Sequence, residues 1–193
     1  MKNYILIFCI FILFILSCKN ERKRKLSREL QSWQNKEIIF SPNLQAKILG
    51  KDTIIKIDNN KLKIINYIDT SGCTECRLEL YEWSKKIEEI KSLSSEIEVI
   101  FIAYQKDYTD LEFLCKKNFF NYPIFYDKTN DMNKINNFPT SSLLQCFLID
   151  QNNHIILIGN PIRNDNIWDL YKKAAYSGGY PFSISGDIRS VPS

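Results

Sequence analysis

The sequence predicts a mixed α/β domain: a sheet flanked by helices, with an extra strand segment on its N-terminal side. Two observations carry this. Apolar, β-branched runs alternate with stretches of helical period through the middle of the chain, as parallel strands with helical crossovers do. Two further strand-like runs then follow around a turn, and a last helix closes the order. The composition agrees. Of 193 residues, 45% are apolar and 13% aromatic, with six Gly and six Pro. That is enough for one packed domain of roughly 100–150 residues plus appendages. Disordered, collagen-like and multi-span membrane chains have other compositions.

In chain order, Leu26, Leu30 and Trp33 share one face of a short predicted helix over Leu26–Trp33. Glu37–Phe40 and Thr53–Ile57 read as short strands, and Asp58-Asn59-Asn60 turns the chain into Leu62–Ile68. Ile64 to Ile68 is mostly apolar, as a strand covered on both faces would be. A helix is predicted from Cys73 to about Leu93, then a buried strand over Glu96–Tyr104 and a helix over Asp107–Asn118. Tyr122–Tyr126 reads as extended and Asp131–Asn136 as a short helix. Leu143–Ile149 and Ile155–Ile158 form a hairpin around Asp150–Asn153. Asn164–Ala175 is the closing helix, with Ile167, Leu170 and Tyr171 on its inner side. The tail from residue 177 is rich in Gly, Ser and Pro and reads as loose. The domain is therefore expected over residues 37–176.

The N-terminus reads as an address. After one Lys, an unbroken apolar run extends from Tyr4 to Leu16. Thirteen residues are too few to span a bilayer comfortably and match a secretory signal over residues 1–17. The run ends in Ile15-Leu16-Ser17-Cys18, which resembles the lipobox of bacterial lipoproteins. That resemblance implies cleavage before Cys18, a diacylglycerol on its thiol, and a domain held at a membrane in the cell envelope, facing the periplasm. Residues 19–28 carry six basic side chains and one acidic, a net of +5. From Glu29 onward 19 basic face 21 acidic. The positive charge reads as a tether over residues 18–36, where each Lys or Arg near an anionic surface adds roughly 1 kcal/mol, with a merely solvated linker as the alternative. It does not point to nucleic acid.

Histidine occurs once, at His154, which removes zinc-protease motifs and Ser-His-Asp or Cys-His catalysis. Six cysteines make thiol chemistry the first place to look. Cys73-Thr74-Glu75-Cys76 has three readings: half a zinc site, a structural disulfide, or a redox dithiol. Zinc ribbons need a second such pair, whereas Cys115 and Cys146 stand alone, 39 and 70 positions after Cys76. The dithiol reading gains from context, because the pair follows a buried strand and opens a helix. A helix N-terminus favours the thiolate, which makes Cys73 the nucleophile and Cys76, one turn inside, the resolving thiol. Cys73, Cys76, Leu80, Trp83, Ile87 and Ile90 recur at spacings of three and four, on one face.

At these residues the chain resembles the thioredoxin superfamily, nearest in layout to the exported, membrane-tethered lipoproteins of the TlpA/ResA kind. The resemblance covers about Asp52 to Tyr171. It rests on strand–CTEC–helix, on Phe138-Pro139-Thr140 before a strand, and on the ending LIDQNNHIILIG. It implies a thioredoxin-like sheet, a thiol–disulfide oxidoreductase without cofactor, and a cis Pro139 against the disulfide. With Phe138 and Thr140, that proline would seat the substrate chain. Partners would be protein thiols or disulfides of the envelope and an unidentified electron donor. Three departures stand out: Gly72 replaces the usual aromatic before the first cysteine, Thr74-Glu75 replaces Gly-Pro, and Tyr67 stands where a buried acid is usual. Asp69 is expected in the following loop. The departures keep a second reading open, a docking lipoprotein whose CTEC is a permanent bridge. Thr70-Ser71-Gly72-Cys73 also matches the T-x-x-C of peroxiredoxins, but the proline expected four residues before the threonine is Asn66. Cys115 and Cys146 are expected in the core, with a bridge between them as the alternative. His154 and the acids Asp107, Asp110 and Glu112 are expected at the surface.

Overall fold

The computed structural model describes Glu21 and residues 24–70, 78–93 and 97–176. Cys18, the leader over residues 1–17 and the tail from 177 lie outside these. The chain divides into two units, residues 1–36 and 37–193. In the first, the expected short helix is present over residues 24–33. Its end is stacked by Lys36, whose ammonium lies 3.7 Å from the Trp33 ring centre.

The second unit is built on a seven-stranded sheet. Its strands are β1 (Gln45–Ile48), β2 (Lys51–Asp52), β3 (Leu62–Ile68), β4 (Ile97–Ala103), β5 (Ile124–Tyr126), β6 (Cys146–Ile149) and β7 (Ile155–Ile158). The spatial order is β2-β1-β5-β4-β3-β6-β7. β3, β4 and β5 run parallel, while β1 and β6 join them antiparallel and the hairpins β1–β2 and β6–β7 close the edges. Among the described residues four helices complete it: α1 (Leu80–Leu93), α2 (Thr109–Lys117), α3 (Asp131–Asn136) and α4 (Asp165–Tyr176).

β3 is the centre because all seven of its residues are buried, Lys63 included. Lys63 reaches that position by donating its ammonium protons to the carbonyls of Lys61 and Asp150, at 3.1 and 3.4 Å. Alternation sends Leu62, Ile64 and Ile68 into the cluster beneath α1, with Cys146 and Leu148 of β6. The expected stripe Leu80, Trp83, Ile87 and Ile90 is buried there. Trp83 and Phe120 each meet Phe101 edge-on, at 5.3 and 5.1 Å between ring centres. Opposite, Tyr67 and Phe147 pack on Phe138.

Four expectations at the element level are corrected. Residues 37–40 form no strand; one bridge, Glu37 to His154, is all that pairs there. Thr53–Ile57 is not a strand either: Thr53 N donates to Ala46 O at 3.0 Å, but the segment forms no ladder, and Ile54 is 97% exposed. The N-terminal extension is instead the β1–β2 hairpin, turned by Leu49 and Gly50, both at positive φ. Strand β6 begins at Cys146, because Ser142–Leu144 forms a 3₁₀ turn. On α4, Trp168 replaces Leu170 on the buried face: its indole N–H donates to Glu89 Oε1 at 2.8 Å, while Leu170 is 40% exposed.

Candidate active site at the β3–β6 switch point

In an open sheet, ligands bind beyond the carboxyl ends of parallel strands, where the strand order reverses. Here β3 leads to β4 and β5 on one side, while β6 returns on the other. The reversal lies between β3 and β6. What leaves β3 at that point is Asp69, Thr70 and then residues 71–77, which hold Cys73 and Cys76. Both cysteines lie outside the described residues, so the site is defined here by what borders them.

On the entering side, Asp69 is held twice. Its carbonyl accepts from Gln105 Nε2 at 3.2 Å, and its carboxylate accepts from Gln145 Nε2 at 3.0 Å. It stands in the loop, as expected, and Tyr67 fills the strand position before it. The Tyr67 phenol donates to Asn130 Oδ1 at 2.9 Å.

On the leaving side, the chain resumes with Leu78, buried and helical, and then Glu79 at φ 42. The positive φ separates Leu78 from α1. The Glu79 carboxylate accepts from Asn160 Nδ2 at 3.2 Å and Arg163 Nε at 3.0 Å. These two belong to the loop between β7 and α4, which is anchored from below: Tyr171 donates its hydroxyl to Gly159 O at 2.9 Å. Cys146 Sγ lies 3.9 Å from that hydroxyl.

The Phe138-Pro139-Thr140 segment reaches the same end of the sheet. Phe138 is buried between Tyr67 and Phe147, at 4.6 and 5.4 Å between ring centres. Pro139 is buried and Thr140 is exposed. The described residues contain no cis peptide bond, so the expected cis Pro139 is corrected to trans. Its place in the chain gives the physical reason. A 3₁₀ turn separates Pro139 from β6 where the strand is expected to begin at Leu143, and an X–Pro bond unconstrained by strand pairing prefers trans. Its carbonyl accepts from Gln145 Nε2 at 2.8 Å. Neither Gln145 nor Glu79 was singled out by sequence. The one signal for Gln145 is an amide interrupting the apolar run Leu143-Leu144-Gln145-Cys146-Phe147.

Cys115 and Cys146 are both buried free thiols, so the bridge alternative is not formed. Burial, with Glu112 nearby, pushes the Cys115 thiol up to about 11. Burial, reinforced by Glu79, pushes Cys146 up to about 12. Both are poor nucleophiles at neutral pH. Asp107 is the expected solvated helix start, accepting from Thr109 N and Oγ1 at 2.9 and 2.7 Å. Glu112 is half-buried instead and accepts from the Tyr126 hydroxyl at 3.4 Å. His154 stands at the hairpin turn, 3.8 Å from Asp150. Among the described residues no cluster of His, Cys, Asp or Glu is placed to hold a metal.

Residues 40–158 match the AhpC/TSA family, over more than half of the chain. The chain belongs to that family. Its fold is thioredoxin-like, as solved structures of low identity show. The thioredoxin domain of a thiol-disulfide oxidoreductase from Bacteroides vulgatus aligns with a TM-score of 0.55 at 13% identity, covering 72% of this chain and 98% of that one. AhpC of Mycobacterium bovis aligns at 0.54 and 13%, covering 80% and 97%. An uncharacterised conserved protein of Geobacillus kaustophilus aligns at 0.55 and 10%, covering 78% and 87%. No curated protein matches the chain.

Proposed function

We propose that the protein is an exported thiol–disulfide oxidoreductase, anchored to a membrane of the cell envelope through a lipid on Cys18. The observation that carries the reading is the place of Cys73-Thr74-Glu75-Cys76 in the chain: between the last residues of β3 and the helix α1, at the switch point of a family whose fold serves thiol chemistry. In the reducing direction the Cys73 thiolate attacks one sulfur of a partner disulfide. A Cys73–partner bond forms, the partner's S–S bond breaks, and the departing sulfur takes a proton. The Cys76 thiolate then attacks Cys73 Sγ, closes the Cys73–Cys76 disulfide and releases the second partner thiol. The chain is oxidised by two electrons and the partner reduced. A dithiol donor resets it by the reverse exchange. No cofactor takes part. Glu75 adds negative charge beside the pair, disfavouring the thiolate and making the pair less oxidising than one without it.

The same family includes peroxide chemistry, and Thr70 precedes Cys73 by three residues, as in T-x-x-C. The proline that pattern needs would fall at Asn66, paired in the sheet with Phe101 and Cys146. A central-strand position has no room for a residue that cannot donate to the ladder. This favours disulfide exchange over peroxide reduction. The test is a redox titration of the domain, from residue 19 onward, in glutathione buffers, read by mass spectrometry of the Cys73–Cys76 peptide. In parallel, turnover of insulin disulfides and of hydrogen peroxide is measured. A pair that equilibrates in the glutathione range and turns over insulin supports the reading. A pair that stays oxidised throughout makes CTEC a structural bridge in a docking protein. Peroxide consumption without disulfide exchange replaces the reading with a peroxidase.

A further inference from the structure

Two loops border the dithiol segment on the β3 side, and one side chain ties them together. The Gln145 carboxamide is 3% exposed and spends both Nε2 protons within the site: one on Asp69 Oδ2 at 3.0 Å, one on Pro139 O at 2.8 Å. Its own main chain is fixed, because Gln145 O accepts from Tyr67 N at 2.9 Å, extending the β3–β6 pairing by one residue. Asp69 stands four residues before Cys73 and is the last polar anchor before the dithiol segment; Gln105 fixes its carbonyl from the other side. Pro139 follows Phe138, which is locked by Tyr67, Phe147 and Asn133 Oδ1. The groups around Gln145 are thus hydrogen-bonded or packed, and its amide joins the two rims.

We propose that Gln145 is a positioning residue for disulfide exchange: it sets the spacing between the strand that delivers Cys73 and the Pro139-Thr140 rim on which a partner chain rests. This rests on the oxidoreductase reading above. An amide is the residue type the geometry requires. One nitrogen must donate in two directions, to a carboxylate and to a carbonyl, without bringing charge into a buried place. A carboxylate there would face Asp69 across a hydrogen-bond distance, where the two charges repel when both are ionised.

The experiment uses Gln145→Met and Gln145→Glu in the soluble chain, with insulin as protein disulfide and oxidised glutathione as small disulfide. Met keeps the volume and removes both donors. At about pH 8 both variants should lose on the order of tenfold in kcat/KM toward insulin, the size of a lost charge-assisted hydrogen bond. Toward glutathione, which needs no rim, the loss should stay under about threefold. On acidification to about pH 5, with both carboxyls protonated, Asp69 donates to the introduced carboxyl and that carboxyl's O–H donates to Pro139 O, so both links of the tie re-form. The Glu variant should then return to within about threefold of wild type, while the Met variant stays low at both values. The ratio to wild type cancels titrations common to both chains, so recovery reads the tie itself. If the Glu variant does not fold at pH 8, the insulin-to-glutathione split of the Met variant decides. Equal losses on both disulfides, or a Glu-to-wild-type ratio flat with pH, overturn the positioning role. A wild-type protein inactive on both disulfides overturns the oxidoreductase reading and this role with it.

Discussion

Glu79 makes a prediction with an unusual sign. It stands at φ 42, between the buried Leu78 and the first residue of α1. A non-glycine residue in the left-handed region costs about 1–2 kcal/mol, and glycine there costs nothing. Against this, glycine loses about 0.4–1 kcal/mol more than alanine through the freedom of its unfolded chain. Both substitutions remove the same side-chain contacts, to Asn160 at 3.2 Å and to the partly exposed Arg163 at 3.0 Å. That loss is about 0.5–1 kcal/mol for either. The difference between Glu79→Gly and Glu79→Ala therefore isolates the backbone, and Gly should be the more stable by about 0.5–1 kcal/mol. In an ordinary helix interior the order is reversed, with Ala better by about 1 kcal/mol. Urea unfolding of both variants at 25 °C, in reductant and at equal m-values, measures the difference. Ala more stable than Gly would mean that residue 79 is helical, that α1 runs unbroken through Leu78, and that Glu79 does not set the end of the dithiol segment.

Asp127 is buried and its two oxygens accept from Asp131 N and Met132 N at 2.8 and 2.9 Å; Asp127→Ala should cost about 2 kcal/mol and speed amide exchange at Met132. Burial also raises its carboxyl above the ordinary 3.8. The folded state then binds the proton first, so wild type should gain stability relative to Asp127→Asn as pH falls through the raised value toward 3.8, and the gain should be complete below it. With thiols pushed up to about 11 and about 12, Cys115 and Cys146 hold at most roughly one thiolate in a thousand at pH 8. Native protein should leave both unlabelled by iodoacetamide and urea should expose both; native labelling of either contradicts the buried core described here.

The centre of the fold was legible in sequence for a plain reason. β3, β4 and the helix stripe from Leu80 to Ile90 satisfy their apolar period within one segment, so no distant residue decides them. The same holds for the turn Asp150–Asn153, where His154 N donates to Asp150 Oδ1 at 2.8 Å. The sheet edge was not legible. Thr53–Ile57 is richer in β-branched residues than Gln45–Ile48, yet the latter is the strand, because it meets β5 at Ala46–Phe125. Edge pairing is a tertiary fact. The site divides in the same way. A local motif placed the cysteines between strand and helix, whereas Gln145 acts through Asp69, 76 residues away, and no spacing rule reaches that far. Pro139 misled for a local reason as well: the strand expected from Leu143 begins only at Cys146, because a 3₁₀ turn stands between it and the proline.

The central claim is that Cys73 attacks and Cys76 resolves, and trapping tests it directly. Cys73→Ser and Cys76→Ser are expressed as full-length chains in the native host, quenched with acid, and compared on non-reducing gels. In Cys76→Ser the nucleophile still forms its mixed disulfide, but no thiol releases the partner, so adducts dissolved by dithiothreitol should accumulate. Cys73→Ser should trap few, because the proposal gives the lowered pKa and the attack to Cys73 and leaves Cys76 only the release step. Adducts with Cys76→Ser alone are the predicted result. Equal trapping by both variants would contradict the assigned roles, and no adducts from either folded variant would contradict the oxidoreductase itself.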